Sequence, residues 1–228
     1  MRTKSKKKQF KYMTNLKAFS KERVLAKIKE LKQLPFGEVF INCKFNGVDY
    51  KLIFLTSECG KDANLMNIIG GWRKKNEIWF ACKFEVTVER TTKWFKERLI
   101  DAPDRLLFII KVGNEYIGHV GLFRFDFENG TCEIDNIIRG ESGYPGIMND
   151  AIRNMMDWGK AILGLKGYSL KTFLDNERAV RLYEKLGFKE ISRIPMIQVE
   201  GKDGLEWVEA PEGYDGEINK YDLVMKLF

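Results

Sequence analysis

The stretch LDNERAVRLYEKLGF, residues 174–188, decides how this chain is read. Asp175 or Asn176 can accept the unpaired amides of a first helical turn. Ala179, Leu182, Tyr183 and Leu186 recur at the spacing of one apolar helix face. Arg178, Arg181, Glu184 and Lys185 fall on the other faces, towards water. Gly187 suits the left-handed residue past a helix end, and Phe188 then folds back on the last turn, at or close to Tyr183. Tyr183 has two readings. It is a packing partner, or it is a catalyst that the helix holds in place. Packing accounts for the ring, but a phenolic hydroxyl on an apolar face still requires a hydrogen bond or a polar cavity.

Outward from that helix, YSLKTFL before it reads as a short strand, and FKEISRI and KYDLVMKLF after it as the last two strands. Upstream, PGIMNDAIRNMMDWGKAILGL predicts a long helix with Ile147, Ala151, Met155, Trp158 and Ile162 on one stripe. Its methionines read as core filler. RLLFIIKVGNEYIGHVGLFRFDFENGTCEIDNII predicts three antiparallel strands broken at Gly113-Asn114 and Asn129-Gly130. DANLMNIIGGW and TVERTTKWFKERLI predict helices. EVFINCKFNGVDYKLIFLTSE predicts a hairpin turning at Asn46-Gly47. FSKERVLAKIKELKQLPFG predicts a helix capped by Ser20, with Val24, Ile28 and Leu31 inward and Pro35 and Gly37 at its end. This order of elements gives an α+β domain around a mixed central sheet, with residues 1–37 as a basic arm and helix and 38–228 as the main domain.

The 228 residues suffice for one substantial core. Twelve of the 39 Lys and Arg fall in residues 1–33, against two Glu, which leaves 27 basic and 30 acidic residues for the rest. The basicity is therefore one N-terminal arm. It can contact nucleic acid or an anionic membrane, although a solvated tail is the plainer reading. Between Glu200 and Glu217 stand seven acids and one lysine, either a solvated surface hairpin or an acidic lid for a cationic substrate. No run of about 18 apolar residues suggests a membrane span, and the basic start lacks the apolar stretch of a secretory signal. Cys43, Cys59, Cys82, Cys132 and His119 show no metal-site spacing, so no metal is expected. The expectation is a cytoplasmic protein with reduced thiols.

NERAVRLYEKLGF resembles the most recognisable motif of the GNAT superfamily of acyl-CoA-dependent N-acyltransferases. EYIGHVGL and EIDNII resemble its central strands and WRKKNEIWF its first helical region, so the resemblance runs from about Leu65 to Phe228. It implies a GNAT-like fold with acetyl-CoA, or another acyl-CoA, as co-substrate. The cofactor cleft would open where CEIDNII and YSLKTF splay apart. The resemblance implies contacts from Ile137, Ile138 and Arg139, from the Gly143, Gly146, Ile147 and Met148 amides, and from Asn176 and Arg178. The pyrophosphate would sit on the free amides of the long helix, an amine would attack the thioester, and Tyr183 would protonate the departing thiolate. The loop RGESGYPGIM departs from the family pattern: Glu141 stands where Arg or Gln is usual, Tyr144 where glycine is usual, and Pro145 donates no amide.

Some relatives carry a glutamate base on the strand before the tyrosine helix, and Lys171 stands there instead. It would hold an anionic part of the acceptor, or be a solvated strand lysine. Glu133 matches an acid of many relatives and ranks first as base, Asp135 on the same face second, and His119 third, with a core histidine the commoner outcome. The expected reaction is transfer of an acetyl or other short acyl group to a primary amine of a small molecule. By resemblance the acceptor is the amino group of a nucleotide-linked sugar. The alternatives are a protein or peptide amine, or a GNAT-like module without turnover that docks through its basic arm. A homodimer is among the expected assemblies.

Overall fold

The computed structural model describes residues 8–9, 19–201 and 204–228, with the backbone alone at Lys8 and Gln9. Most of the basic arm thus lies outside the described residues. The helix that follows it, α1 (Lys21–Gln33), is capped by Ser20, whose hydroxyl accepts the Arg23 N–H at 3.3 Å. Its Val24, Ile28 and Leu31 are buried in the main core, and the Lys32 ammonium donates to the carbonyl of Leu99 at 2.6 Å.

Strand β1 (Lys8–Gln9) runs parallel to β2 (Val39–Phe45), which turns into β3 (Val48–Phe54). The turn is the expected one, with Asn46 and Gly47 at φ 47° and 82°. Helix α2 (Ala63–Lys75) starts at Asp62, whose carboxylate accepts the N–H groups of Asn64 and Leu65 at 3.0 Å. Helix α3 (Val88–Trp94) starts at Thr87 and continues as a π turn over Phe95–Ile100. The meander comes next as β4 (Leu106–Val112), β5 (Glu115–Asp126) and β6 (Thr131–Arg139). Then come α4 (Ile147–Trp158), β7 (Gly167–Phe173), α5 (Glu177–Leu186), β8 (Lys189–Gly201), β9 (Gly204–Glu209) and β10 (Lys220–Leu227).

The strands form one mixed sheet in the order β1-β2-β3-β4-β5-β6-β7-β10-β8-β9. Period-two alternation divides its side chains between two layers. Ile41, Leu52, Phe108, Leu122 and Ile134 meet α1, α4 and α5, while Phe40, Ile53, Leu107 and Ile109 meet α2 and α3. Each such side chain contributes about 1.5–3 kcal/mol on burial. The long methionine-rich helix behaves as expected, with Met148, Met155 and Met156 buried in the first layer.

Two features of the sheet make a cleft. Strands β6 and β7 are parallel and pair only at Thr131–Gly167, Cys132–Tyr168 and Glu133–Ser169, after which they part. Within β6, Asn136 takes a left-handed φ of 49°, and the pairing with β5 slips between His119 and Gly121. This bulge inserts one residue and so reverses the facing of the side chains beyond it. Ile134 before it and Ile137 after it both pack on the α4 side, whereas Ile138 joins the α2 side.

The acid-rich segment after Glu200 corrects the count of strands. Strand β8 continues past Ile194, where FKEISRI ends, to Gly201, and β9 returns beside it. Pro195 marks the change of partner, opposite Tyr221 of β10, with its carbonyl accepting the Ala210 N–H at 2.8 Å. The Trp207 N–H donates to the Ala81 carbonyl at 2.7 Å, so this hairpin is docked on the segment between α2 and α3.

Candidate active site

Helix α5 is built as its residues dictate. Of the two candidate caps, Asn176 serves, its side-chain oxygen accepting the Ala179 N–H at 3.3 Å. Gly187 is left-handed at φ 95°, and the Phe188 N–H returns to the Tyr183 carbonyl at 3.0 Å. The Phe188 ring meets the Tyr183 ring edge-on at 6.4 Å. The packing reading of Tyr183 is therefore satisfied in full, yet it does not use the hydroxyl. Tyr183 is 5% exposed, and its hydroxyl has no hydrogen-bond partner among the described residues. Burial raises its pKa well above 10, so the phenol keeps its proton.

That phenol lines a cleft of about 630 Å³, together with Ile137 and Arg139 of β6, Gly146 and Met148 at the start of α4, and Asn176 and Arg178 at the start of α5. These seven predicted residues are brought together by the parting of β6 from β7. The remaining cofactor candidates stand apart. Ile138 is buried against α2, Ile147 is buried in the main core, and Gly143 is exposed in the loop. The Ile147 N–H is turned towards the Tyr144 carbonyl at 3.4 Å. Helix geometry leaves the N–H groups of Met148 and Asn149, both in the cleft wall, without helical partners.

Phe45, Asn76, Trp79, Asn149, Arg181 and Lys185 also line the wall and were not singled out as site residues from the sequence. The last two were read as water-facing, although they share a helical stripe with Arg178. Phe45 and Trp79 come from distant elements and carry no local signal. Arg139, Arg178, Arg181 and Lys185 give this cleft four cations beside a helix N-terminus, an arrangement suited to a polyanion.

The unusual loop has a physical basis. Glu141 accepts the Trp72 indole N–H at 3.0 Å, and Lys75 donates to the Gly140 carbonyl at 3.1 Å. Arg139 folds back on the loop, its Nε donating to the Glu141 carbonyl at 3.0 Å and a terminal nitrogen to that of Ser142. Tyr144 donates to Glu115 at 2.7 Å. Side chains from α2 and β5 thus hold a turn that glycines would otherwise leave loose. Gly146 is demanded twice over. Its φ is 89°, and a Cβ there would lie 2.7 Å from the Phe45 ring.

The proposed bases and the acceptor lysine lie outside the wall of this cleft, on the sheet face opposite α4. Glu133, at the last paired position before the strands part, accepts from Arg124 at 3.0 Å. Asp135 is paired with Arg105 and accepts from the Asn136 amide at 2.8 Å. Burial raises the pKa of both carboxyls against the lowering pull of their arginines. Lys171 is exposed on the same face of β7, near Glu133 and near Asp222, whose carboxyl pKa burial raises against the lowering pull of Lys171 and Lys220. His119 is 1% exposed and donates from Nδ1 to the Asn136 carbonyl at 2.6 Å. With Nδ1 as donor, Nε2 is left as a buried acceptor without a partner among the described residues. Burial lowers the pKa of His119 to about 4. One side of the strand gap thus holds Glu133, Asp135 and Asp222 interleaved with Arg105, Arg124 and Lys171, while the cleft wall on the other holds four cations and no carboxylate.

A family model described as the acetyltransferase (GNAT) domain matches residues 58–189. Spermidine N(1)-acetyltransferase of Escherichia coli (strain K12) is 30% identical over 110 residues, 48% of this chain and 58% of that enzyme. The chain thus spans a little over half the length of that relative. The Vibrio cholerae spermidine N(1)-acetyltransferase is 24% identical over 129 residues, 57% of this chain and 74% of that one. Among solved structures, Vibrio cholerae spermidine N-acetyltransferase in complex with CoA and spermine superposes with a TM-score of 0.53. It is 19% identical, over 78% of this chain and 94% of that one. The microcin C7 self-immunity acetyltransferase in complex with acetyl-CoA and AMP gives 0.58 at 16% identity, over 78% and 91%. At these identities the structures show a shared fold.

Proposed function

Since this chain belongs to the GNAT acetyltransferase family, we propose that it transfers an acetyl group from acetyl-CoA to a primary amine of a small, cationic molecule. The observation that carries the proposal is the Tyr183 hydroxyl, unpartnered among the described residues, in a cleft with four cations and free helix amides. Those amides and cations suit the phosphates of CoA, and the apolar wall at Ile137 and Leu182 suits its pantetheine arm.

The chemistry is set by the groups present. The amine attacks as the free base, the new C–N bond forms at the thioester carbonyl, and the C–S bond breaks. Tyr183 gives its proton to the sulfur, which leaves as a thiol. The proton released by the amine passes to a carboxylate on the facing side of the strand gap. Glu133 is favoured over Asp135, because its arginine partner is an exposed side chain whereas Asp135 is held by Arg105 and Asn136 together. A raised carboxyl pKa makes it a better acceptor. His119, walled in beside Trp72 at 5.9 Å between ring centroids, serves the fold in this reading.

The acceptor is proposed to be a polyamine. The supporting observations are the carboxylates Glu133, Asp135 and Asp222 on one face and the spermidine acetyltransferases among the relatives. A nucleotide-linked amino sugar is the second reading, favoured by the exposed Lys171 on that same face. Free CoA release from acetyl-CoA, measured with spermidine, a nucleotide-linked amino sugar and a peptide amine in parallel, tests both. Turnover with spermidine alone supports the first reading, turnover with the sugar nucleotide replaces it by the second, and turnover with the peptide alone overturns both.

A further inference from the structure

The β2–β3 hairpin precedes residues 58–189, the part of the chain that matches the family model. Its last strand residue before the turn, Phe45, nevertheless lines the cleft. We infer that Phe45 is a nucleotide-binding residue, an aromatic wall on which the adenine of acetyl-CoA stacks. The inference rests on the reading of the cleft as an acyl-CoA site.

The placement of the ring carries it. Phe45 ring carbons would lie 2.7 and 2.8 Å from a Cβ at Gly146, so the ring sits directly on the residue that opens α4. The hairpin is fastened to that same helix. The Tyr50 hydroxyl donates to Asp150 at 2.6 Å, and the Asn154 amide donates to the Tyr50 hydroxyl at 3.2 Å. The free amides at the start of α4 suit a pyrophosphate, and in CoA the base is joined through one ribose to that pyrophosphate. An aromatic face fixed beside the phosphate site therefore meets the one aromatic ring system of the ligand. Stacking of a base on an aromatic side chain is sequence-tolerant and strong enough to read in binding.

The test compares acetyl-CoA with S-acetyl-pantetheine, which carries the thioester and lacks the nucleotide, on the full chain. Phe45→Ala should raise the Kd for acetyl-CoA about 10-fold and leave the KM for S-acetyl-pantetheine unchanged. Phe45→Leu keeps an apolar side chain over Gly146 and should lose as much affinity as the alanine variant, while Phe45→Trp should retain it. Equal loss for both thioesters, or wild-type affinity in Phe45→Leu, would overturn stacking and return Phe45 to packing. Wild-type protein that binds no acetyl-CoA would instead overturn the acyl-CoA reading of the cleft.

Discussion

Replacing Tyr183 by phenylalanine removes one oxygen from the cleft and keeps the ring contacts with Phe188 and the core. Turnover should therefore fall roughly 100-fold or more, while the melting temperature stays close to that of wild type. A fall in both would point to packing as the role of the residue. His119 offers an independent check on burial. Its pKa is about 4 in the fold against 6.5 in the unfolded chain. Between those values the unfolded chain takes up a proton that the folded one refuses. Stability is then unaffected above pH 6.5 and falls as the pH drops through that window, by about 3 kcal/mol at its lower end. His119→Gln should flatten this part of the pH dependence, which unfolding measurements at pH 7 and pH 5 would detect. At this scale the packing of Tyr183 was legible in the sequence, because its neighbours were all accounted for and its hydroxyl was not. The sequence was not legible for Arg105 and Arg124. Arg124 lies on β5, next to β6, and Arg105 lies just before β4, one strand further away, so only the assembled sheet brings them to Glu133 and Asp135.

At the scale of the elements, caps and turns were the most legible features, because their chemistry is local. Ser20 and Asn176, both readable as caps, each accept an amide at the start of a helix, and the structure adds Asp62 and Thr87 in the same role. Asn176→Ala should cost about 1 kcal/mol in chemical denaturation. Less legible was the hairpin of β8 and β9, whose alternation of Ile197, Val199, Leu205 and Trp207 is interrupted by acids. The bulge at Asn136 was not legible at all. Nothing in CEIDNII distinguishes a regular strand from one that reverses its facing, since the extra residue is set by the partner strand. Gly146→Ala tests the element on which the cleft depends. Left-handed backbone and the Phe45 ring both oppose a methyl there, so acetyl-CoA should no longer raise the melting temperature of that variant.

At the scale of the whole molecule, the basic N-terminus and the sheet core do not divide where the charge does. Residues 1–33 carry the basic excess, but Val24, Ile28 and Leu31 of α1 lie in the same buried cluster as the sheet. Their burial is worth about 5 kcal/mol together, comparable with the whole stability of many domains. Deleting residues 1–18 should leave amine-dependent CoA release intact, whereas deleting residues 1–33 should unfold the protein at ordinary temperature, as circular dichroism would report. The helical pattern of α1 was plain in the sequence. Its place against the π turn Gly159–Leu163 that follows α4 depends on contacts about 140 residues away, such as Arg23 donating to the Leu163 carbonyl at 2.9 Å. The order of strands that brings α5 beside α4 likewise rests on a single parallel pairing of β6 with β7. The cleft is therefore a property of the assembled sheet.

The proposed mechanism turns on one proton, the one that Tyr183 is proposed to give to the leaving sulfur. Free CoA release from acetyl-CoA is followed with and without spermidine, for the wild-type chain and for Tyr183→Phe, each at saturating acetyl-CoA. Release should require the amine and should fall roughly 100-fold in the variant. Equal amine-dependent rates in the two proteins would remove Tyr183 from the chemistry.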